Sequence, residues 1–255
     1  MSSPDCSSLP QQLLLPAPAP APTGTPGGRL EGTFERVFRR LAFRRPAPSF
    51  QVEFRAFAGL RSAIHLRHNH ARVRISDVLT EAPPLVLEAL AEILLAQLFR
   101  RQPSREAREC YLAYVFKPSV RRRIDRVRRR RGYKRLLPPQ GRYFNLEKIF
   151  EDLNRRFFQG KLPRPRLGWT AQRSRTILGH YDSAHRTISI SRWLDSPSVP
   201  RYLVEYLVFH EMLHMRYPVA RRGHRRIVHP PEFLAAEKKF PMYDQARRRL
   251  KHICE

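Results

Sequence analysis

Hydrophobic positions along this chain recur with two different periods. Between residues 50 and 78 the period is two: Phe50, Val52 and Phe54 alternate with polar residues, then Ile64 and Leu66, then Val73 and Ile75. Alternation of this kind predicts half-buried strands, with His68-Asn69-His70 as a hairpin turn between the last two. Elsewhere the period is helical. Phe34, Val37, Phe38 and Leu41 share one face, with Arg36, Arg39 and Arg40 on the other, which predicts a short basic helix. Pro83-Pro84 opens a run whose Leu87, Leu90, Ile93, Leu94 and Leu98 form a wide apolar stripe, predicting a core helix that ends near Pro103. Asn145 caps a further helix with Leu146, Ile149, Phe150, Leu153 and Phe157 on one face and Gly160 as its stop. Three short strands follow, around Arg166–Thr170, Thr176–Tyr181 and Arg186–Ser191. Ser196, Pro197, Ser198 and Pro200 start a helix that runs to Tyr217, where Pro218 ends it, and a last helix covers roughly Pro231 to Phe240. The order α-β-β-β-α-loop-α predicts an α+β fold for residues 142–255.

The stretches without periodicity divide the chain. Residues 1–30 are rich in Ser, Pro and Ala, a composition that buries too little apolar area to offset chain entropy, so they read as a disordered tail. Residues 31–118 form an accessory β-hairpin and helix region, and 119–141 a basic helix and linker. Ten of the seventeen residues 119–135 are Arg or Lys and only Asp125 opposes them; Leu136 to Gly141 then reads as linker. Residues 72–98 echo 186–214: a strand, a proline-marked turn and a helix, which suggests a degenerate internal duplication.

Charge and cysteine usage narrow the class. The 255 residues carry 49 Lys plus Arg against 22 Asp plus Glu, a net charge of +27, which favours a polyanionic partner such as nucleic acid. The phosphate contacts would come from Arg121–Arg131 without sequence specificity, with Tyr111 and Tyr133 available for stacking. The three cysteines, Cys6, Cys110 and Cys254, are far apart, so neither a disulfide framework nor a Cys-rich zinc ribbon is expected and a reducing, cytoplasmic location fits. No apolar run reaches the ~18 residues needed to span a bilayer, and no signal peptide is apparent.

The chemistry is concentrated in Val208-Phe209-His210-Glu211-Met212-Leu213-His214. On a helix, i and i+4 lie on one face, so His210 and His214 can hold one Zn²⁺ at ~2.0–2.1 Å each. Glu211 then stands where its carboxylate reaches an activated water. Leu203, Tyr206, Leu207, His210, His214 and Tyr217 share one stripe, so the histidines face inward, and a metal removes the cost of burying two imidazoles unpaired. A catalytic zinc needs a third protein ligand and an open position. The metzincin spacing fails, because Tyr217 and Ala220 stand at its Gly and His positions. The downstream candidates are His224, His229, Glu232 and Glu237. His229 is preferred, because it precedes a helix whose Phe233 can anchor the turn, whereas His224 lies in the cationic loop Arg221 to Arg226. His65, His68 and His70 read as exposed hairpin residues rather than a second metal site.

Residues 142–245 resemble the SprT-like zinc metallopeptidases, the group that includes the DNA–protein crosslink protease Spartan. The matching pieces are Phe150 to Asn154, Phe158-Gln159-Gly160-Lys161-Leu162, Leu167-Gly168-Trp169, Gly179-His180-Tyr181, Ile188 to Ser191, the His210 to His214 run, and His229-Pro230-Pro231-Glu232-Phe233. The resemblance implies a zincin-like minimal metallopeptidase domain, with His229 as the third ligand beside His210 and His214. Two departures stand out: Pro230 replaces the family's Gly, and the sequence carries no Cys-based C-terminal ribbon. The implied activity is zinc-dependent hydrolysis of protein substrates, held on or near nucleic acid, with Glu211 as the catalytic proton carrier. Tyr181, His180 and Tyr217 are candidate oxyanion donors. The competing reading is a non-catalytic polyanion-binding module with a structural zinc.

Overall fold

The computed structural model describes residues 26–43, 46–132 and 135–254. The fold is α+β, with two apolar cores belonging to two successive units. In the first unit, α1 (Pro26–Arg40) lays Leu30, Phe34, Val37 and Phe38 against a sheet of β1 (Ser49–Arg55), β2 (Ser62–Arg67) and β3 (His70–Ser76). The spatial order is β1-β3-β2, with β1 parallel and β2 antiparallel to β3. His68 and Asn69 turn the β2–β3 hairpin at φ 44° and 64°, left-handed values that match the twist of the flanking strands. α1 begins inside the stretch read as tail; residues 1–25 of that stretch lie outside the described residues.

A 3₁₀ turn capped by Ser76 leads into α2 (Pro84–Leu98), which buries Leu90, Leu94 and Leu95. α3 (Arg105–Val115), capped by Ser104, packs on α2. No apolar period announces α3 in the sequence, because its buried face is only Ala107, Tyr114 and Val115 among charged neighbours. α4 (Pro118–Arg131) is the expected basic helix.

The second unit comprises β4 (Leu136–Leu137), α5 (Leu146–Phe158), β5 (Arg166–Thr170), β6 (Gly179–Asp182), β7 (Thr187–Ile190), α6 (Arg201–Arg216), β8 (Ala220–Arg222), β9 (Arg225–Ile227), α7 (Pro231–Glu237) and α8 (Tyr243–Cys254). Three expectations need correction. Leu136-Leu137 is not linker but an edge strand antiparallel to β5. Gly168 permits this approach, since a Cβ there would meet the Leu137 carbonyl at 2.5 Å. The loop after α6 folds into the β8–β9 hairpin. The helix expected over Pro231 to Phe240 is α7, and the expected order lacks α8, which follows after buried Phe240 and Pro241 turn the corner.

The two units repeat one topology. In the second, the order is β4-β5-β7-β6, with β5 parallel and β6 antiparallel to β7, as β1 and β2 are to β3. The Ser76 N–H donates to the Arg61 carbonyl at 2.9 Å, and the Ser191 N–H to the Leu178 carbonyl at 2.8 Å, at the same register. Ser191, like Ser76, caps a 3₁₀ turn, and prolines precede both α2 and α6. The leading helices agree as well: Leu30-Glu31, Phe34-Glu35 and Arg39-Arg40 in α1 recur at the same spacing as Leu146-Glu147, Phe150-Glu151 and Arg155-Arg156 in α5. The shared topology therefore extends beyond the 72–98 echo.

α4 braces the units. Arg123 pairs with Glu81 and Arg131 with Asp77 at 2.7 Å on the first unit, while Arg128 reaches Asp182 at 3.2 Å on the second. Among the described residues no helix is long and apolar enough to cross a membrane.

Candidate metal centre

α6 owes its position to apolar burial: Leu203, Val204, Val208 and Met212 are fully buried in the core that α6 forms with α5, β6 and β7. That packing turns His210 and His214 to the rim, half-buried, and seats Glu211 inside at 5% exposure. His229 arrives from beyond the β8–β9 hairpin. One ligand nitrogen from each of His210, His214 and His229 lies within 4.8 Å of the others, and the His214 and His229 Nε2 atoms are 3.3 Å apart. Two nitrogens bound to one tetrahedral zinc at ~2.0–2.1 Å would be ~3.3–3.4 Å apart, so the spacing suits a single ion. His224 sits at the hairpin turn and is not part of this group, and Glu232 is exposed. His65, His68 and His70 form no such group among the described residues; His70 Nδ1 instead meets Ser49 Oγ at 2.5 Å.

Phe233 forms the floor. It is fully buried, and its ring lies 5.1, 4.8 and 4.5 Å from the rings of His210, His214 and His229. Pro230 and Pro231 start α7 immediately after His229, so the ring enters the site from a stiff turn.

Glu237, weighed above as a ligand, has a different place. Its Oε1 accepts the His210 Nδ1–H at 2.6 Å and the Tyr206 hydroxyl at 2.8 Å. The bond sets the His210 tautomer and leaves Nε2 with its lone pair toward the other imidazoles. Burial pushes the Glu237 carboxyl up, but the two donors outweigh it and hold it below its usual range. Tyr206 is pushed far up by burial and by that carboxylate, so it stays a donor. Burial, then the neighbouring His210 and His229, lowers His214 to about 4. His229 is lowered in the same direction by burial and His210. Both are neutral near pH 7, as nitrogen ligands must be.

β6 runs beside Glu211 so closely that a Cβ on Gly179 would lie 2.7 Å from its Oε1. Leu178, just before β6, and His180 within it face β7 in bonded pairs, so Gly179 and Tyr181 turn their backbone N–H and C=O to the open edge. The Tyr181 hydroxyl, raised mainly by burial, keeps its proton at neutral pH. Neither the spacing role of Gly179 nor the orienting role of Glu237 is visible in the sequence, because each depends on which residue of α6 lies opposite.

Compared with protein families, residues 146–252, from the first residue of α5 into α8, match the SprT-like family. No curated protein and no solved structure matches the chain.

Proposed function

We propose that the SprT-like segment is a zinc-dependent metallopeptidase of zincin type, acting on polypeptide substrates. The observation that carries this reading is the convergence of three imidazole nitrogens within 4.8 Å beside a buried glutamate. His210, His214 and His229 would hold the ion. Zinc bound there supplies Lewis acidity and makes a water acidic near neutral pH. Glu211, held between α6 and β6, takes the proton from the attacking water and delivers it to the leaving amine nitrogen. The open edge of β6 aligns an extended substrate through Gly179 and Tyr181, which places the scissile carbonyl beside Glu211. Tyr181 stands on the same strand and is the leading candidate to donate to the oxyanion.

Nucleic acid enters the same proposal through α4. Arg122, Arg126, Arg129 and Arg130 are exposed and make no ion pair among the described residues, so they are free to contact phosphates.

The test is paired. Metal content of the wild type, His229→Ala and His224→Ala is measured by elemental mass spectrometry. About one zinc per chain is expected in the wild type and His224→Ala, and loss in His229→Ala. Glu211→Gln should keep the metal and lose ~10²–10⁴-fold in hydrolysis of an unstructured protein. Full hydrolysis by Glu211→Gln, or metal bound by a wild type that cleaves no polypeptide, overturns the catalytic reading.

A further inference from the structure

We propose that the first unit is a ligandless copy of the second and keeps its strand-binding edge: β2 holds an extended acidic polypeptide segment without cleaving it. The proposal takes the peptidase reading of the second unit as its premise.

The proline that precedes each helix sets α2 against α6. Val86 then falls on Leu203, Leu90 on Leu207, Ala91 on Val208 and Leu95 on Met212, each pair buried in its own core. In that alignment Ile93, Leu94 and Gln97 replace His210, Glu211 and His214. No nitrogen ligand pair and no carboxylate remain, so neither metal binding nor proton transfer can occur there. Gln97 is exposed and Ile93 half-buried, as the rim position of the histidines requires.

The strand edge survives this loss. Arg61 and Ser76 form a bonded pair, so Ala63 and His65 face β3 in the ladder while Ser62, Ile64 and Leu66 direct their N–H and C=O away from it. These are the counterparts of Gly179 and Tyr181 on β6. Among the described residues β2 pairs with β3 alone. An unpaired edge of this kind adds a further strand readily. Its charge chooses the occupant: Arg61 immediately before β2 and Arg67 at its end are both exposed and neither is ion-paired among the described residues. An acidic chain is therefore complementary. A protein with such an edge grips its substrate at a place remote from hydrolysis, which raises the local concentration of the remainder at β6.

The experiment uses the full-length Glu211→Gln chain and two synthetic peptides, one of alternating Glu and Thr and one of alternating Lys and Thr. Residue-resolved hydrogen exchange is read on β2 and β6. The acidic peptide is expected to slow exchange at the Ser62, Ile64 and Leu66 amides, and the basic one not to. Ile64→Pro removes one outward donor and should weaken acidic-peptide binding about fivefold, leaving wild-type metal content intact. Should that variant misfold, the exchange data on the unsubstituted strand decide alone. Unchanged exchange at β2 with protection at β6 overturns this proposal and leaves the peptidase reading standing. Equal protection by both peptides overturns the acidic preference. Protection at β2 in a protein whose wild type cleaves nothing supports the second site and counts against the peptidase reading.

Discussion

His210 shows how little of a candidate ligand's environment is local. Its own helix places His214 one turn away, but Glu237, twenty-seven residues downstream, accepts its Nδ1–H and determines which nitrogen faces the site. Glu237→Ala leaves that N–H and the buried Tyr206 hydroxyl without an acceptor. We expect metal affinity to fall ~10–100-fold in a chelator competition, because the orienting bond is lost. We also expect unfolding in urea to show a loss of ~1–3 kcal/mol from the unsatisfied buried donor. From the sequence, Glu237 and Glu232 were equal candidates for ligation. Only the side-chain partners separate them, since burial at 2% for one and exposure for the other follow from how α7 docks.

Elements act here through close approach. α6 and β6 touch at Gly179 and Glu211, and Gly179→Ala forces one of them to move. If Glu211 carries the proton as proposed, its displacement by about an ångström should lower turnover by up to ~10²-fold, whereas the three histidines, held by α6 and the turn before α7, should still take up metal. Kinetics with metal analysis on the same preparation would check this, and lost metal would show the effect to be wider than β6. The principal helices and strands of the second unit were readable because each has its own period and stop signals: Asn145 accepts from the Glu147 and Lys148 N–H groups as an N-cap, and Gly160 follows at φ 71°. β4, β8 and β9 were not readable. They are two or three residues long, and a strand so short exists only by virtue of its neighbour.

Between the two units, α4 divides its arginines into two populations, apart from Arg121, which donates to the Val219 carbonyl at 3.4 Å. Arg123, Arg128 and Arg131 are spent on Glu81, Asp182 and Asp77, whereas Arg122, Arg126, Arg129 and Arg130 face solvent. Replacing any of the exposed four by Gln should leave the melting temperature unchanged and lower the salt slope of nucleic-acid binding by ~1 each. Replacing Arg128 should do the reverse, lowering stability with a smaller effect on the slope. The pair also has a pH signature. Burial pushes the Asp182 carboxyl up, but Arg128 and the hydrogen bond with His185 outweigh it and hold it below its usual 3.8. A carboxyl depressed in the folded state adds stability that is present above about pH 3.8 and lost as pH falls through the folded value. Asp182→Asn should therefore flatten the acid limb of a melting-temperature profile below that pH, and an unchanged limb would remove the bridge from the account.

Periodicity and spacing in the chain were enough to place two histidines one turn apart on one face of a helix, because the rise and turn of a helix are the same wherever it occurs; that this face is the rim, with Glu211 turned inside, was decided by the packing of α6. They were also enough to separate a core-forming second unit from a basic segment before it, since burial and charge are written residue by residue. The preference for His229 over His224 rested on the turn that follows it. Its meeting with the other two rings, the grip of Glu237 on His210, the division of the α4 arginines and the full extent of the repeat all depend on contacts between residues far apart in the chain. Such contacts have no local period. Packing of the two cores decides them, and the first unit, with Ile93, Leu94 and Gln97 at the positions of His210, Glu211 and His214, shares the topology because its buried positions, not its chemistry, hold the fold.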